Sequence, residues 1–375
     1  MNIPVAKPYL TEDEAKAAYD TILTGWITQG PKVLEFEEKF ASYVGSKYAV
    51  AVSNCTTALH LSMIVAGIKA GDEVICPSMS YIATANSITY VGAIPVFAEV
   101  NESYNLDLED VRNRLTSKTK AILLVHQMGL PADIDGFRNL CNEKGLILIE
   151  DAACAIGSEY NGKKIGSHSD LVCFSFHPRK VISTGDGGMI TTSNQEFAER
   201  LKLLRQHGMN VNDRIRHLSK SIIFEDHIEI GYNYRMTDIQ ASVGIKQLEK
   251  LDWIVKERRK IAKIYLDRLE GIDCIRLPQE KINIVFNFQS FCIYLKPTSN
   301  TTRNELMQKL LNLGISTRRG IMTSHRETAY ENYLSSNLSK SENLADNSIV
   351  IPLFVPMEEN EIDYVIDAIK HELSN

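Results

Sequence analysis

The chain is poor in the features that would assign it quickly to a class. Its 375 residues contain no CxxC pair, although there are seven cysteines (Cys55, Cys76, Cys141, Cys154, Cys173, Cys274 and Cys292). An odd, scattered set without that spacing excludes a disulfide framework and a zinc ribbon, and suits buried thiols in a reducing compartment. No apolar run approaches the roughly 18 residues that suggest a membrane span, and MNIPVAKPYL lacks the apolar core of a signal peptide. The expected location is therefore the cytoplasm, where the triplets at Asn54, Asn101, Asn300 and Asn337 cannot act as glycosylation sites. A net charge of −6, with no basic run, argues against a general nucleic-acid binder. There is no GxGxxG fingerprint, no GxSxG elbow, and no HExxH or other metal spacing among nine histidines. No metal site is expected. GSEYNGKK (157–164) is one residue short of a P-loop and carries Lys164 where Ser or Thr should stand. It reads as a hairpin turn, YNGK.

What is present is a soluble globular composition, 44% hydrophobic and 23% charged. The length calls for one large and one smaller domain. From about residue 45 to 195, β-rich runs alternate with helical patterns. The runs are YAVAV (48–52), DEVICP (72–77), PVFAEV (95–100), KAILLVH (120–126), LILIED (146–151), LVCFSFH (171–177) and MITT (189–192). Several are almost continuously apolar, as strands become when helices cover both faces of a parallel sheet. Helical candidates such as 56–68 and 108–115 lie between them. This is the pattern of an α/β doubly wound domain. Thr237 and Gln240 form a capping box opening a further helix. The amphipathic stretch 253–271 then leads to a smaller domain, where 282–297 reads as strand and 302–314 as a helix stopped by Gly314. Ile362, Val365, Ile366 and Ile369 mark one buried stripe of a last helix. The expected division is 1–250, with an N-terminal arm, and 251–375.

Ligands of open α/β sheets bind beyond the carboxyl ends of the strands. Ser53 to Thr57 follow one such end and open a helix, where free N–H groups and hydroxyls suit a phosphate; the same residue types are also routine helix caps. Asp151 closes LILIED. It would keep a ring nitrogen protonated if a pyridine ring sat above the sheet, and would otherwise cap a turn. Tyr81, just after another strand end, could stack on such a ring or cover the sheet edge as a half-buried tyrosine. Ser175 and His177 close LVCFSFH. Lys180 follows at once, before the glycine-rich turn of Gly185, Gly187 and Gly188. A primary amine in a partly desolvated site can bond an aldehyde and later shuttle protons. The neighbouring Arg179 stays charged and cannot.

Together these segments resemble one family, the DegT/DnrJ/StrS sugar aminotransferases. The likeness runs through GWITQGPKVLEFEEKFASYVG (25–45), SNCTTALHL (53–61), CPSMSYIATANSI (76–88), IEDAACAIG (149–157), FSFHPRKVISTGDGGM (174–189), GYNYRMTDIQA (231–241) and STRRGI (316–321). The resemblance implies a pyridoxal 5'-phosphate enzyme of fold type I. Its large domain has a mostly parallel seven-stranded sheet flanked by helices, followed by a smaller α+β domain. Lys180 is then the Schiff-base lysine, Asp151 the pyridinium partner and Tyr81 the stacking aromatic. Cys55 through its backbone, Thr56 and Ser175 match the phosphate cradle. Asn233 matches a residue that reaches the phosphate of the neighbouring subunit, which implies a homodimer with a shared active site. His177, Arg235 and Arg318 are candidates for substrate contact. In the loop 206–220, His207 and Arg214 are candidates for a nucleotide diphosphate, against the simpler view of a solvated basic loop. Cys154 stands where many relatives carry Gln or His, and a branch that removes a sugar hydroxyl has histidine in place of Lys180.

The activity so implied is transamination. An amino donor, L-glutamate, aminates the cofactor, and a nucleotide-linked 3- or 4-keto-(6-deoxy)sugar then accepts the amine, in surface polysaccharide, lipopolysaccharide or amino-sugar synthesis. Three alternatives remain: the same chemistry on a keto-octulosonic acid or aminocyclitol ketone, a pyridoxal-phosphate-dependent sugar dehydratase, and a non-enzymatic cofactor-binding regulator.

Overall fold

Strands that alternate with helices along the chain must come back beside one another through right-handed crossovers, and this sets the architecture. The computed structural model describes residues 1–211, 221–222, 224–333 and 337–374. Helices α1 (Glu12–Leu23) and α2 (Pro31–Val44) precede β1 (Tyr48–Val52), α3 (Cys55–Val65), β2 (Glu73–Pro77), α4 (Ile82–Thr89) and β3 (Ile94–Ala98). Then come α5 (Leu108–Arg114), β4 (Thr119–Val125), α6 (Ile134–Lys144) and β5 (Ile147–Asp151). The hairpin β6 (Glu159–Tyr160) and β7 (Lys163–Lys164) leads to β8 (Leu171–Ser175), β9 (Gly188–Thr192) and α7 (Gln195–Leu204).

These elements build a seven-stranded sheet of order β1-β9-β8-β5-β4-β2-β3. Pairing is parallel from β8 through β5, β4 and β2 to β3, and β9 alone runs against its neighbours β8 and β1. The carboxyl ends of β1, β2, β4, β5 and β8 therefore share one edge with the start of β9. Period-two alternation divides each strand between two cores. Ala49 and Ala51 face the core under α2, where Phe36, Phe40, Phe174 and Phe176 pack edge to face or tilted. Val50 and Val52 face the opposite core, beneath α3. The YNGK turn is a hairpin as expected, with Asn161 at φ 50° and Gly162 at φ 75°.

The capping box of Thr237 and Gln240 opens α8 (Asp238–Leu269), a single helix of 32 residues. It runs unbroken through residue 250. Its first half packs on the sheet core through Ile245, Leu251 and Ile254, and its second half on a C-terminal core through Ile261, Tyr265 and Leu269. That second core also takes in Ile3 of the N-terminal arm. It is built by β10 (Ile275–Arg276), β11 (Ile284–Val285), β12 (Phe291–Leu295), α9 (Arg303–Asn312), β13 (Arg318–Arg319), α10 (Ser339–Asn347), β14 (Ser348–Ile351) and α11 (Glu359–Ser374). The stretch 282–297 is not one strand. Its first part, β11, joins the β6–β7 hairpin, and its second, β12, joins the antiparallel sheet β10-β12-β14-β13. Between them the backbone turns at Phe288, φ 48°. The stripe Ile362, Val365, Ile366 and Ile369 is buried as its spacing requires. Among the described residues no helix is long and apolar enough to cross a membrane.

Candidate active site

The shared carboxyl edge of the sheet collects the polar groups that the strand cores exclude. After β1, Asn54 caps α3: its side chain accepts from Thr57 N–H at 2.9 Å, and the Thr57 hydroxyl donates back to the Asn54 carbonyl at 2.8 Å. The cap leaves the N–H groups of Cys55 and Thr56 without an intrahelical acceptor, an arrangement that favours an anion. Gly188, the first residue of β9, presses against this turn. A Cβ there would lie 2.5 Å from the carbonyl of Asn54. Ser53 N–H donates to Tyr234 O at 2.9 Å, which brings the 232–235 segment alongside.

At the end of β5, Asp151 is 6% exposed. Its carboxylate accepts from the Thr84 hydroxyl at 3.0 Å and from Ala153 N–H at 3.1 Å, and Thr84 is itself 2.7 Å from the Ser80 hydroxyl. Burial raises the carboxyl above its ordinary value, against the pull of these donors and of Lys180. The side chain of Lys180 donates to Cys154 Sγ at 3.2 Å. Burial alone would lower the amine's pKa, but Cys154, Asp151 and Cys55 outweigh it and the net shift is upward. Burial likewise lifts the Cys55 thiol well above its usual value, with Asp151 adding to it and Lys180 opposing it. Lys180, Asp151, Cys154 and Cys55 thus form one electrostatic cluster at the edge.

Ser175 is buried at the end of β8, where its hydroxyl accepts from His177 N–H at 3.4 Å. The His177 ring accepts from Arg179 N–H at 3.2 Å, and burial, with Arg179 next, lowers its pKa. Tyr81 is not half-buried on the sheet edge: it stands 64% exposed at the start of α4. Asn233 is exposed and its side chain accepts from Arg235 at 3.2 Å. Arg318 lies exposed on β13 of the C-terminal sheet, and no hydrogen bond joins it to this cluster. His207, at φ 63°, bonds the Tyr232 carbonyl through its backbone at 2.9 Å. Arg214 lies outside the described residues. Sequence reasoning missed Thr84 and Ser80, which orient the carboxylate. SYIAT gives no sign of this, because a hydroxyl one helical turn past a strand end is ordinary helix material.

The family model of the DegT/DnrJ/EryC1/StrS aminotransferases matches residues 8–370. The chain is 37% identical over 374 residues to the GDP-perosamine synthase of Caulobacter vibrioides, covering 99% of this chain and 98% of that one. Among solved structures, a putative sugar aminotransferase from Streptococcus pneumoniae superposes with a TM-score of 0.94 at 29% identity, covering 100% of this chain and 99% of the other. PseC of Helicobacter pylori, an aminotransferase involved in the biosynthesis of pseudoaminic acid, gives 0.93 at 25% identity and covers 100% of both chains.

Proposed function

The chain belongs to the DegT/DnrJ/EryC1/StrS aminotransferase family and is a pyridoxal-phosphate-dependent sugar aminotransferase of fold type I; on that premise we propose which residues carry the reaction. The observation that carries the proposal is the convergence of Lys180 and Asp151 at one sheet edge beside the unsatisfied N–H groups of α3. That donor set fits a group with an anionic phosphate at one end and a cationic ring at the other.

When bound, the cofactor supplies an aldehyde and an electron-withdrawing ring. Asp151 would hold the protonated ring nitrogen, kept in line by Thr84 and Ala153. The Cys55 N–H, Thr56 and Ser175 would hold the phosphate, and Tyr81 would cover a ring face. Lys180 would anchor the cofactor by its amine, and the same amine would move the α-carbon proton of the amino donor, for which we propose L-glutamate, and serve as acid and base toward the acceptor. The acceptor is a nucleotide-linked keto sugar, supported by the GDP-linked product in the name of the Caulobacter relative. His177, Arg235 and Arg318 are proposed substrate contacts.

We further propose a homodimer in which Asn233 of one copy completes the other's phosphate site. Ile222, Phe224 and Ile230 support this, because they are 86%, 88% and 88% exposed just before Asn233, an apolar surface that a second copy would cover. A cytoplasmic location and a division near residue 250, where α8 passes between cores, complete the proposal.

The test is an absorbance spectrum of the purified protein and of Lys180→Ala, before and after excess L-glutamate. A visible cofactor band that glutamate converts in the wild type alone is the expected result. A wild type that takes up no pyridoxal phosphate would end the proposal, and a band that glutamate leaves unchanged would remove the donor.

A further inference from the structure

Five residues between β11 and β12, Phe286 to Ser290, run as a strap behind the Lys180 cluster. Asn287 is fully buried. Its side-chain amide donates to the carbonyls of Cys154 and Ile156, both at 2.8 Å, and its side-chain oxygen accepts from Gln289 N–H at 2.9 Å. The Gln289 side chain donates to the Arg179 carbonyl at 2.8 Å. One short segment therefore grips the main chain on both sides of the Lys180–Cys154 contact: at Cys154 itself, and at the peptide that leads into Lys180.

The strap is in turn held rigidly. Arg258, buried on α8, donates to the carbonyls of Phe288 at 2.7 and 2.9 Å, Gln289 at 2.7 Å and Leu353 at 3.2 Å. Phe288 adopts the left-handed φ of 48°, which costs a non-glycine residue energy and persists only where surroundings over-determine it. Gly129 leaves the space the amide needs: a Cβ there would fall 1.9 Å from the Asn287 side-chain oxygen and 2.8 Å from the Cys154 carbonyl.

We infer that Asn287 and Gln289 are positioning residues that set where the Lys180 amine stands relative to Cys154 and Asp151, and so how readily it engages the cofactor. The inference rests on the role proposed for Lys180. Neither side chain touches the reacting atoms in this arrangement. Both act through backbone carbonyls.

The full-length chain is stripped of cofactor and resupplied with pyridoxal phosphate. The bond to lysine is then made permanent with borohydride at timed intervals, and labelling of the Lys180 peptide is counted by mass spectrometry. Gln289→Ala should slow labelling about tenfold, the scale of one lost orienting hydrogen bond on a reacting amine, with an unchanged thermal midpoint. Gln289→Glu keeps the length but loses the donor, and should behave like the alanine. Asn287→Ala should slow labelling at least as much, and also melt lower. Arg259→Ala removes a bond to the Phe286 carbonyl at the outer end of the strap and should label at the wild-type rate. Wild-type rates in Gln289→Ala and Gln289→Glu would overturn the inference while leaving Lys180 as the anchor. A wild type unlabelled at Lys180 would overturn the anchor, and this inference with it.

Discussion

Replacing Gly188 by alanine isolates what the start of β9 does for the site. The added Cβ would lie 2.5 Å from the carbonyl carbon and oxygen of Asn54 and 2.8 Å from Cys55 N. Unstrained contacts of carbon with heavy atoms begin near 3.5 Å, so strand and helix start must part by about 1 Å. Every atom in the clash is backbone, and no rotamer change can absorb it. Gly188 is also in register with Val52 on one side and Ser175 on the other, which ties the displacement to two strand ends of the cleft. Overpacking of this kind costs about 1–3 kcal/mol of stability. The same movement withdraws the Cys55 and Thr56 N–H groups from an anion, and each charge-assisted bond lost is worth about 1.5–3 kcal/mol. Affinity for pyridoxal phosphate should therefore fall by at least about tenfold. Gly67→Ala, just past the other end of α3, is the matched control. At φ 75° with nothing within 4 Å, it should cost about 1 kcal/mol of backbone strain and leave affinity unchanged. Thermal denaturation and cofactor titration of the two variants read both quantities. A Gly188→Ala protein that binds cofactor as tightly as wild type would refute the assignment of α3 as the phosphate site.

Glu37 is buried, accepting from Ala51 N–H at 2.8 Å and from Arg205, so Glu37→Gln strands a buried guanidinium and should cost about 3–5 kcal/mol in chemical denaturation. Burial works against the charge of Glu14, but Lys250, Gln247 and Thr11 outweigh it and hold the carboxyl down to about 2. Because the folded value lies below the ordinary 4.5, this pair stabilises fully above that pH, and the contribution is lost as pH falls from 4.5 toward 2. Melting curves across that window should slope less steeply in Lys250→Met than in wild type. Phe224→Glu should shift the chain toward monomer in analytical ultracentrifugation and lower turnover with it, since the site is proposed to be shared. A dimer of unchanged stability would place the interface elsewhere.

Much of the sheet was legible because its strands are buried on both faces. YAVAV, LILIED and LVCFSFH have no polar face to confuse the pattern, and their ends fall within about two residues of those expected. The strand order was not legible, since apolar runs say nothing of which neighbour they choose. Nor was the split of 282–297. FNFQS is as rich in aromatics as the strands beside it, and only the left-handed turn at Phe288 and the side-chain grip of Asn287 separate β11 from β12. Asp151 stood out as a strand-end residue and Lys180 as the amine before a glycine-rich turn, each within a family-like block. Asn287, Gln289 and Arg258 did not, because their partners are main-chain carbonyls, which leave no complementary residue in the sequence to find.

The upward shift of Asp151 ties binding to the fold. Burial makes its charge costly, and two neutral donors and Lys180 offset this only in part, so the carboxyl sits above its ordinary value. Without a further cation, that shift removes stability as pH rises through the folded value. The protonated ring nitrogen proposed to sit against the same carboxylate would oppose that shift, because it favours the ionised form that burial penalises. The Thr84 hydroxyl, held in turn by Ser80, already points at the carboxylate, so little reorientation would be needed when the cation arrives. On the role proposed for Asp151, a strand end whose charge burial makes costly in the isolated chain is thus one that a cationic ring would relieve.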